Sequence, residues 1–157
     1  MKAERTYAGE VEVARRESAY ILLEMISYTE TMDNITPEML GGFFEGWPNP
    51  PSPETHLKIL RGSYSVVLAL DEGRVVGFVN AISDGHLMAF LPLLEVLPEY
   101  RGQGIGSELV RQISQTLSGL YALDLICDSD VQPFYERLGW LRTNGMSARN
   151  YNRQSGT

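Results

Sequence analysis

Leu93-Leu94-Glu95-Val96-Leu97-Pro98-Glu99-Tyr100-Arg101-Gly102-Gln103-Gly104-Ile105-Gly106-Ser107-Glu108-Leu109-Val110 is the stretch on which the reading of the fold turns. It begins inside an apolar, strand-like run, Leu87 to Val96, and ends inside a helical pattern. In that helix Ile105, Leu109, Val110, Ile113 and Leu117 share one face, and Ser107, Glu108, Arg111, Gln112 and Gln115 share the other. Between strand and helix lies the Gly-rich turn Arg101 to Gly106. Glycines at alternate positions let a backbone bend tightly and approach a ligand, and the helix they open offers unpaired N–H groups and the positive end of its dipole. Such a layout builds an anion site, and a pyrophosphate fits it.

Generic phosphate fingerprints do not account for this spacing. A Walker loop needs a Lys and then Ser or Thr after its last Gly, whereas Gly106 is followed by Ser107 and Glu108. The dinucleotide fingerprint G-x-G-x-x-G belongs in a first strand-to-helix turn, and here the pattern is G-x-G-x-G in the later half of the chain. An oxidoreductase reading therefore predicts stabilisation by NAD and stands as a rival. A plain turn is the bland alternative, since Pro98, Glu99 and Tyr100 already supply turn chemistry.

The neighbouring residues decide between these. The string LLEVLPEYRGQGIGSELV resembles the acyl-CoA-binding motif of the GNAT family of N-acetyltransferases, Q/R-x-x-G-x-G/A, through Arg101, Gly104 and Gly106. Further on, CDSDVQPFYERLGW resembles that family's second block, in which a short helix carrying F-Y-x-x-x-G-F/W follows a strand, through Phe134, Tyr135, Gly139 and Trp140. The two blocks stand in the family's order, and with the strands before them they cover the second half of the chain. The first half is only loosely similar.

The resemblance implies a mixed α/β fold with a central, mostly antiparallel sheet, helices on both faces and a splayed parallel strand pair that admits acetyl-CoA. It implies that backbone groups of Leu94 and Val96 pair with the pantetheine amides. The N–H groups of Arg101, Gly102, Gln103, Gly104, Ile105 and Gly106 would then hold the pyrophosphate. Arg101 adds a charge-assisted contact to phosphate in this reading, against the alternative of a solvated turn arginine.

Composition is that of one compact enzyme domain over residues 1–157, with 43% hydrophobic and 21% charged residues. No run is apolar enough to span a bilayer, and MKAERTYAGEVEVARRES lacks the apolar core of a secretory signal. The single cysteine, Cys127, forms no internal disulfide, and a cytoplasmic location is expected. With only His56, His86 and Cys127 as soft ligands, no metal site is expected. A net charge of -7 speaks against nucleic acid as partner.

Along the rest of the chain, Tyr7 to Val13 reads as a first strand and Ala19 to Ile26 as a buried helix segment. Thr36-Pro37 marks a helix start, Gly41-Gly42 a stop, and Gly46 to Pro53 a proline-stiffened loop. Phe43, Phe44 and Trp47 suit the wall of a binding cleft, or simply pack beneath that loop. Pro53 and Glu54 open a helix through Leu60. Ser65–Leu70 and Arg74–Ala81 read as a hairpin about Asp71-Glu72-Gly73, and a second turn at Asp84-Gly85 leads into Leu87–Val96. Pro92 cannot donate to a ladder and marks an edge, a bulge or a parting of strands. The strand beyond the Gly-loop helix is expected at Tyr121–Cys127.

Transfer from a thioester to an amine needs a neutral amine, a polarised carbonyl and a proton for the departing thiolate. By the resemblance, Tyr135 lies near the sulfur, and a phenol with an ordinary pKa of about 10 carries the proton an acid must have. The alternative is a buried helix tyrosine beside Phe134. Asp128, Ser129 and Asp130 are expected to cap this helix. Relatives place a base on the bulged strand, where this chain has Phe90 and Pro92. Glu95, His86 in its turn, and a water chain remain as candidates. By alternation Glu95 points away from the faces of Leu94 and Val96. Cys127 is not expected to carry the acyl group. The implied activity is acetyl transfer from acetyl-CoA to a primary amine, a small amine bounded by Phe43, Phe44 and Trp47 ahead of a protein lysine or N-terminus. A non-catalytic acyl-CoA-binding module is the alternative. Homodimers are common among proteins resembling this family.

Overall fold

A computed structural model of the chain describes residues 26–156. The strand expected at Tyr7–Val13 and nearly all of the helix segment expected at Ala19–Ile26 lie outside the described residues. The elements in order are β1 (Ser27–Thr29), α1 (Pro53–Arg61), β2 (Ser65–Asp71), β3 (Arg74–Ser83), β4 (Met88–Val96), α2 (Ile105–Thr116), β5 (Ala122–Asp124) and α3 (Gln132–Arg137). Short 3₁₀ turns at Pro37–Leu40, Pro98–Tyr100 and Tyr151–Arg153 connect them.

One five-stranded sheet runs in the order β1-β2-β3-β4-β5, antiparallel except for the parallel pair β4 and β5. The middle strands β2 and β3 are apolar on both sides because both faces of the sheet are covered. On one face Phe78 of β3 meets the ring of His56 in α1, with centroids 4.5 Å apart. On the other face α2 lies so close over Gly77 that a Cβ there would stand 3.1 Å from Leu109 Cδ1 and 3.3 Å from Ile105 Cγ2. A side chain at position 77 would push these neighbours outward by a few tenths of an ångström, so Gly77 lets α2 pack closely over β3. Helix α1 starts where predicted, with Pro53 in its first turn and Ser52 Oγ accepting the Thr55 N–H at 3.2 Å.

Pro92 sits in a bulge. Asn80 pairs with Leu93 and Ile82 with Phe90, so Leu91 and Pro92 together face the single residue Ala81. Parallel pairing with β5 covers only Met88, Ala89 and Phe90. Beyond the bulge β4 continues to Val96 with no partner strand on that edge among the described residues. The strand expected over Tyr121–Cys127 is correspondingly short, because a strand ends where its partner diverges.

Candidate active site

The edge of β4 freed by the bulge carries the predicted pantetheine partners. The Leu97 N–H binds the Val76 carbonyl at 2.9 Å, so alternation along the strand turns the peptide groups of Val96 and Leu94 away from β3 and towards the gap before β5. The Val96 carbonyl does face outward: Arg101 Nε donates to it at 2.8 Å. Pro92 falls on the same outward phase and has no N–H with which to extend a ladder to β5.

The Gly-rich turn is pinned from below and left open above. Tyr100 Oη donates to Asp71 Oδ2 at 2.7 Å, and Arg74 meets Glu99 at 3.1 Å, so the β2–β3 turn holds the 3₁₀ segment in place. Gly102 and Gly104 have φ of +75° and +89°, which L side chains rarely adopt, and Gly104 is the N-cap of α2. The first ladder bond of α2 runs from Glu108 N–H to the Gly104 carbonyl at 3.0 Å. The N–H groups of Ile105, Gly106 and Ser107 thus lie ahead of the helical ladder, where the dipole favours an anion. Arg101 is not a free turn arginine, because Nη1 pairs with Glu45 Oε2 at 3.0 Å as well. A phosphate at the turn would compete with Glu45 for that guanidinium.

Tyr135 reaches the region from α3. Its ring lies edge-on to Phe134 at 4.9 Å and to Trp140 at 5.8 Å. Phe134 in turn packs over Gly106 beside Val96, which links the second motif to the first. Burial above all, with Cys127 adding to it, pushes the Tyr135 phenol up to about 12. Tyr135 borders a cavity of about 690 Å³ together with Asp124, Cys127, Ser114, Trp140 and Arg142. Burial first, then Asp128 and Asp130, raises the Cys127 thiol, the reverse of what a nucleophilic cysteine needs.

Asp128, Ser129 and Asp130 do not cap α3 with their side chains. Its N-cap is Val131 with no side-chain bond, and the Asp128 main-chain carbonyl instead accepts the N–H groups of Val131 and Gln132. Glu95 lies on the Phe78 face of the sheet, as alternation requires. Its carboxylate accepts the Phe44 N–H at 2.9 Å on both oxygens and the Glu45 N–H at 3.4 Å. Phe44 has φ of +64°, so Glu95 holds a residue in a conformation that non-glycine residues seldom take. Phe43 and Phe44 are buried with His56 and Phe78, which leaves Trp47, 38% exposed, as the aromatic surface of that loop. His86 lies in the β3–β4 turn at the far end of the sheet, beside a separate hollow lined by Tyr64 and Leu117. Sequence reasoning did not single out Asp124 or Glu45; a carboxylate inside the apolar run Tyr121–Cys127 was the one signal for the former.

The model of the acetyltransferase (GNAT) family matches residues 32–140. A solved structure from Deinococcus radiodurans R1, a candidate acetyltransferase, is 53% identical over 85% of this chain and 94% of that one, with a TM-score of 0.83. The N-alpha-acetyltransferase 30 of Schizosaccharomyces pombe is 32% identical over 48% of this chain, which spans just over half, 56%, of that relative's length. The aminoglycoside N-acetyltransferase AAC(6')-Iy, solved in complex with CoA, shares the fold at 20% identity, with a TM-score of 0.61 over 80% of this chain and 93% of its own. No helix among the described residues is long and apolar enough to cross a membrane.

Proposed function

This chain belongs to the GNAT acetyltransferase family, and we propose that it moves the acetyl group of acetyl-CoA directly onto a primary amine of a small molecule in a ternary complex. The observation that carries this reading is the outward turn of the Leu94 and Val96 peptide groups along an edge that β5 leaves unpaired beyond Phe90. An extended diamide laid along that edge completes the sheet as a strand would. The loop from Arg101 to Gly106 stands at the end of the same edge, with helix N–H groups open for a pyrophosphate. Bound there, acetyl-CoA supplies an activated acyl group, and the protein contributes position and protons.

Proximity supplies much of the rate, since both reactants are held in one cleft. Tyr135 keeps its proton at neutral pH and offers it to the departing sulfur. Glu95 acts through the loop it holds. Tyr135 borders a cavity of about 690 Å³, within the range of small-molecule pockets, and a small amine is the acceptor we propose.

Thermal unfolding with acetyl-CoA, CoA, NAD and ATP in parallel tests the cofactor. Ligand at about a hundred times its dissociation constant adds about 2.7 kcal/mol, a rise of several degrees for a domain of this size. A rise with acetyl-CoA and CoA alone is expected. A rise with NAD, or with none of the four, would remove the acyl-CoA reading and the enzyme assignment together.

A further inference from the structure

The Arg101 side chain lies across the edge of β4 that the cofactor needs. Its Nε donates to the Val96 carbonyl at 2.8 Å, and its Nη1 meets Glu45 Oε2 at 3.0 Å. That carbonyl belongs to the part of β4 beyond Phe90, which has no partner strand on this side among the described residues. An extended diamide pairs with such an edge only where the edge offers its own donors and acceptors. The guanidinium covers one of those acceptors. Arg101 also opens the Gly-rich turn, so it stands between the strand edge and the N–H groups ahead of α2.

Glu45 is held on a built turn. The Trp47 N–H closes that turn on the Phe44 carbonyl at 3.1 Å. Glu95 of β4 fastens it from the other side, accepting the Phe44 N–H at 2.9 Å and the Glu45 N–H at 3.4 Å. Strand β4 therefore fixes the backbone from which Glu45 reaches Arg101. Both members of the ion pair are half-exposed, so water weakens their attraction. A phosphate brings more charge and a bidentate fit to the same guanidinium, and it outcompetes one carboxylate.

We propose that Arg101 and Glu45 form a latch that selects the acyl donor: a thioester whose carrier bears phosphate draws the guanidinium off Val96 and frees that carbonyl for the pantetheine arm. This rests on the cleft being the acyl-CoA site. The donor class is then the nucleotide-bearing thioester, and a bare pantetheine thioester is discriminated against although it carries the same amides. Arg101 sets this specificity by direct contact, and Glu45 is a positioning residue that acts through Arg101.

The test measures binding by calorimetry with CoA and with pantetheine, which keeps the amides and the thiol and lacks every phosphate. Wild type, Arg101→Met, Glu45→Gln and the double variant are compared. Arg101→Met is expected to bind CoA about tenfold more weakly and pantetheine about threefold more tightly, a change of opposite sign for the two ligands. Glu45→Gln is expected to bind CoA about threefold more tightly, and that gain disappears in the Arg101→Met background. If Arg101→Met binds pantetheine no more tightly than wild type, Arg101 is a phosphate contact or a structural residue and there is no latch. A Glu45→Gln gain that is missing, or that persists without Arg101 as a field effect on an anionic ligand, also overturns it. Failure of CoA to bind the wild type overturns instead the reading of the cleft, and this assignment with it.

Discussion

At Tyr135 the phenol is pushed up to about 12 by burial, well above an ordinary thiol near 8.5. Full proton transfer to a thiolate is therefore uphill, and the hydrogen bond that Tyr135 donates as charge builds on sulfur carries much of its effect. Tyr135→Phe keeps the ring contacts with Phe134 and Trp140 and removes only the hydroxyl. Its kcat is expected to fall about a hundredfold with the KM for acetyl-CoA nearly unchanged, as read by thiol release. Glu95 makes the opposite prediction. Its two oxygens hold the Phe44 N–H, so Glu95→Ala strands a buried donor and lowers stability by about 1 to 3 kcal/mol in urea unfolding. Glu95→Gln keeps one acceptor, and its kcat should stay within about threefold of wild type. A hundredfold loss in that variant would make Glu95 a base after all.

Helix α1 is fastened to the sheet through a histidine that has no polar partner among the described residues. His56 is 1% exposed, both ring nitrogens are unpaired, and Phe43, Phe44 and Phe78 enclose it. Desolvation pulls its pKa down from 6.5 to about 4. The folded state thus binds the proton less well than the unfolded chain, so the stabilisation is complete above pH 6.5 and drains away as pH falls towards 4. At about 1.4 kcal/mol per unit, stability drops by about 2 to 3 kcal/mol between pH 7 and pH 4.5. Urea unfolding of wild type and His56→Leu at both pH values isolates this part of the acid sensitivity, and the variant should lose most of it. An equal fall in both proteins would show that the surface carboxylates, not this element, set the acid limit. No pattern in the sequence marked His56, because PETHLKILR reads as helix whichever polar residue faces the sheet.

Across the whole molecule, the parting of two strands turns an ordinary sheet into a cleft. Only three residue pairs join β4 to β5, and the exposed edge beyond them should be visible in amide exchange. Leu94 and Val96, whose N–H groups face the gap, are expected to exchange fast in the free protein and to gain protection when CoA is added. Glu95, in the β3–β4 ladder, should be slow throughout. Uniform protection of all three in the free protein would mean that the edge is already covered. The elements from Pro53 to Thr116 were legible in the sequence within a residue or two, since helical and alternating periodicities, Ser52-Pro53 and the Gly turn all act locally. The anion loop was legible for the same reason: Gly102 and Gly104 adopt left-handed φ that few other residues accept, and an amphipathic pattern follows at once. Partnership was not legible. Nothing local told that Arg101 would bridge Val96 and Glu45, that Glu95 would be spent on the Phe44 loop, that Phe43 and Phe44 would enter the core, or that Asp124 would stand beside Phe90. Apart from the Arg101–Val96 bond, those contacts join residues far apart in the chain, with Glu95 and Phe44 separated by 51 positions. Conformational preference is a property of neighbouring residues and is written in their order, whereas which side chains meet depends on strand register and on the bulge at Pro92, which exist only once the sheet has formed.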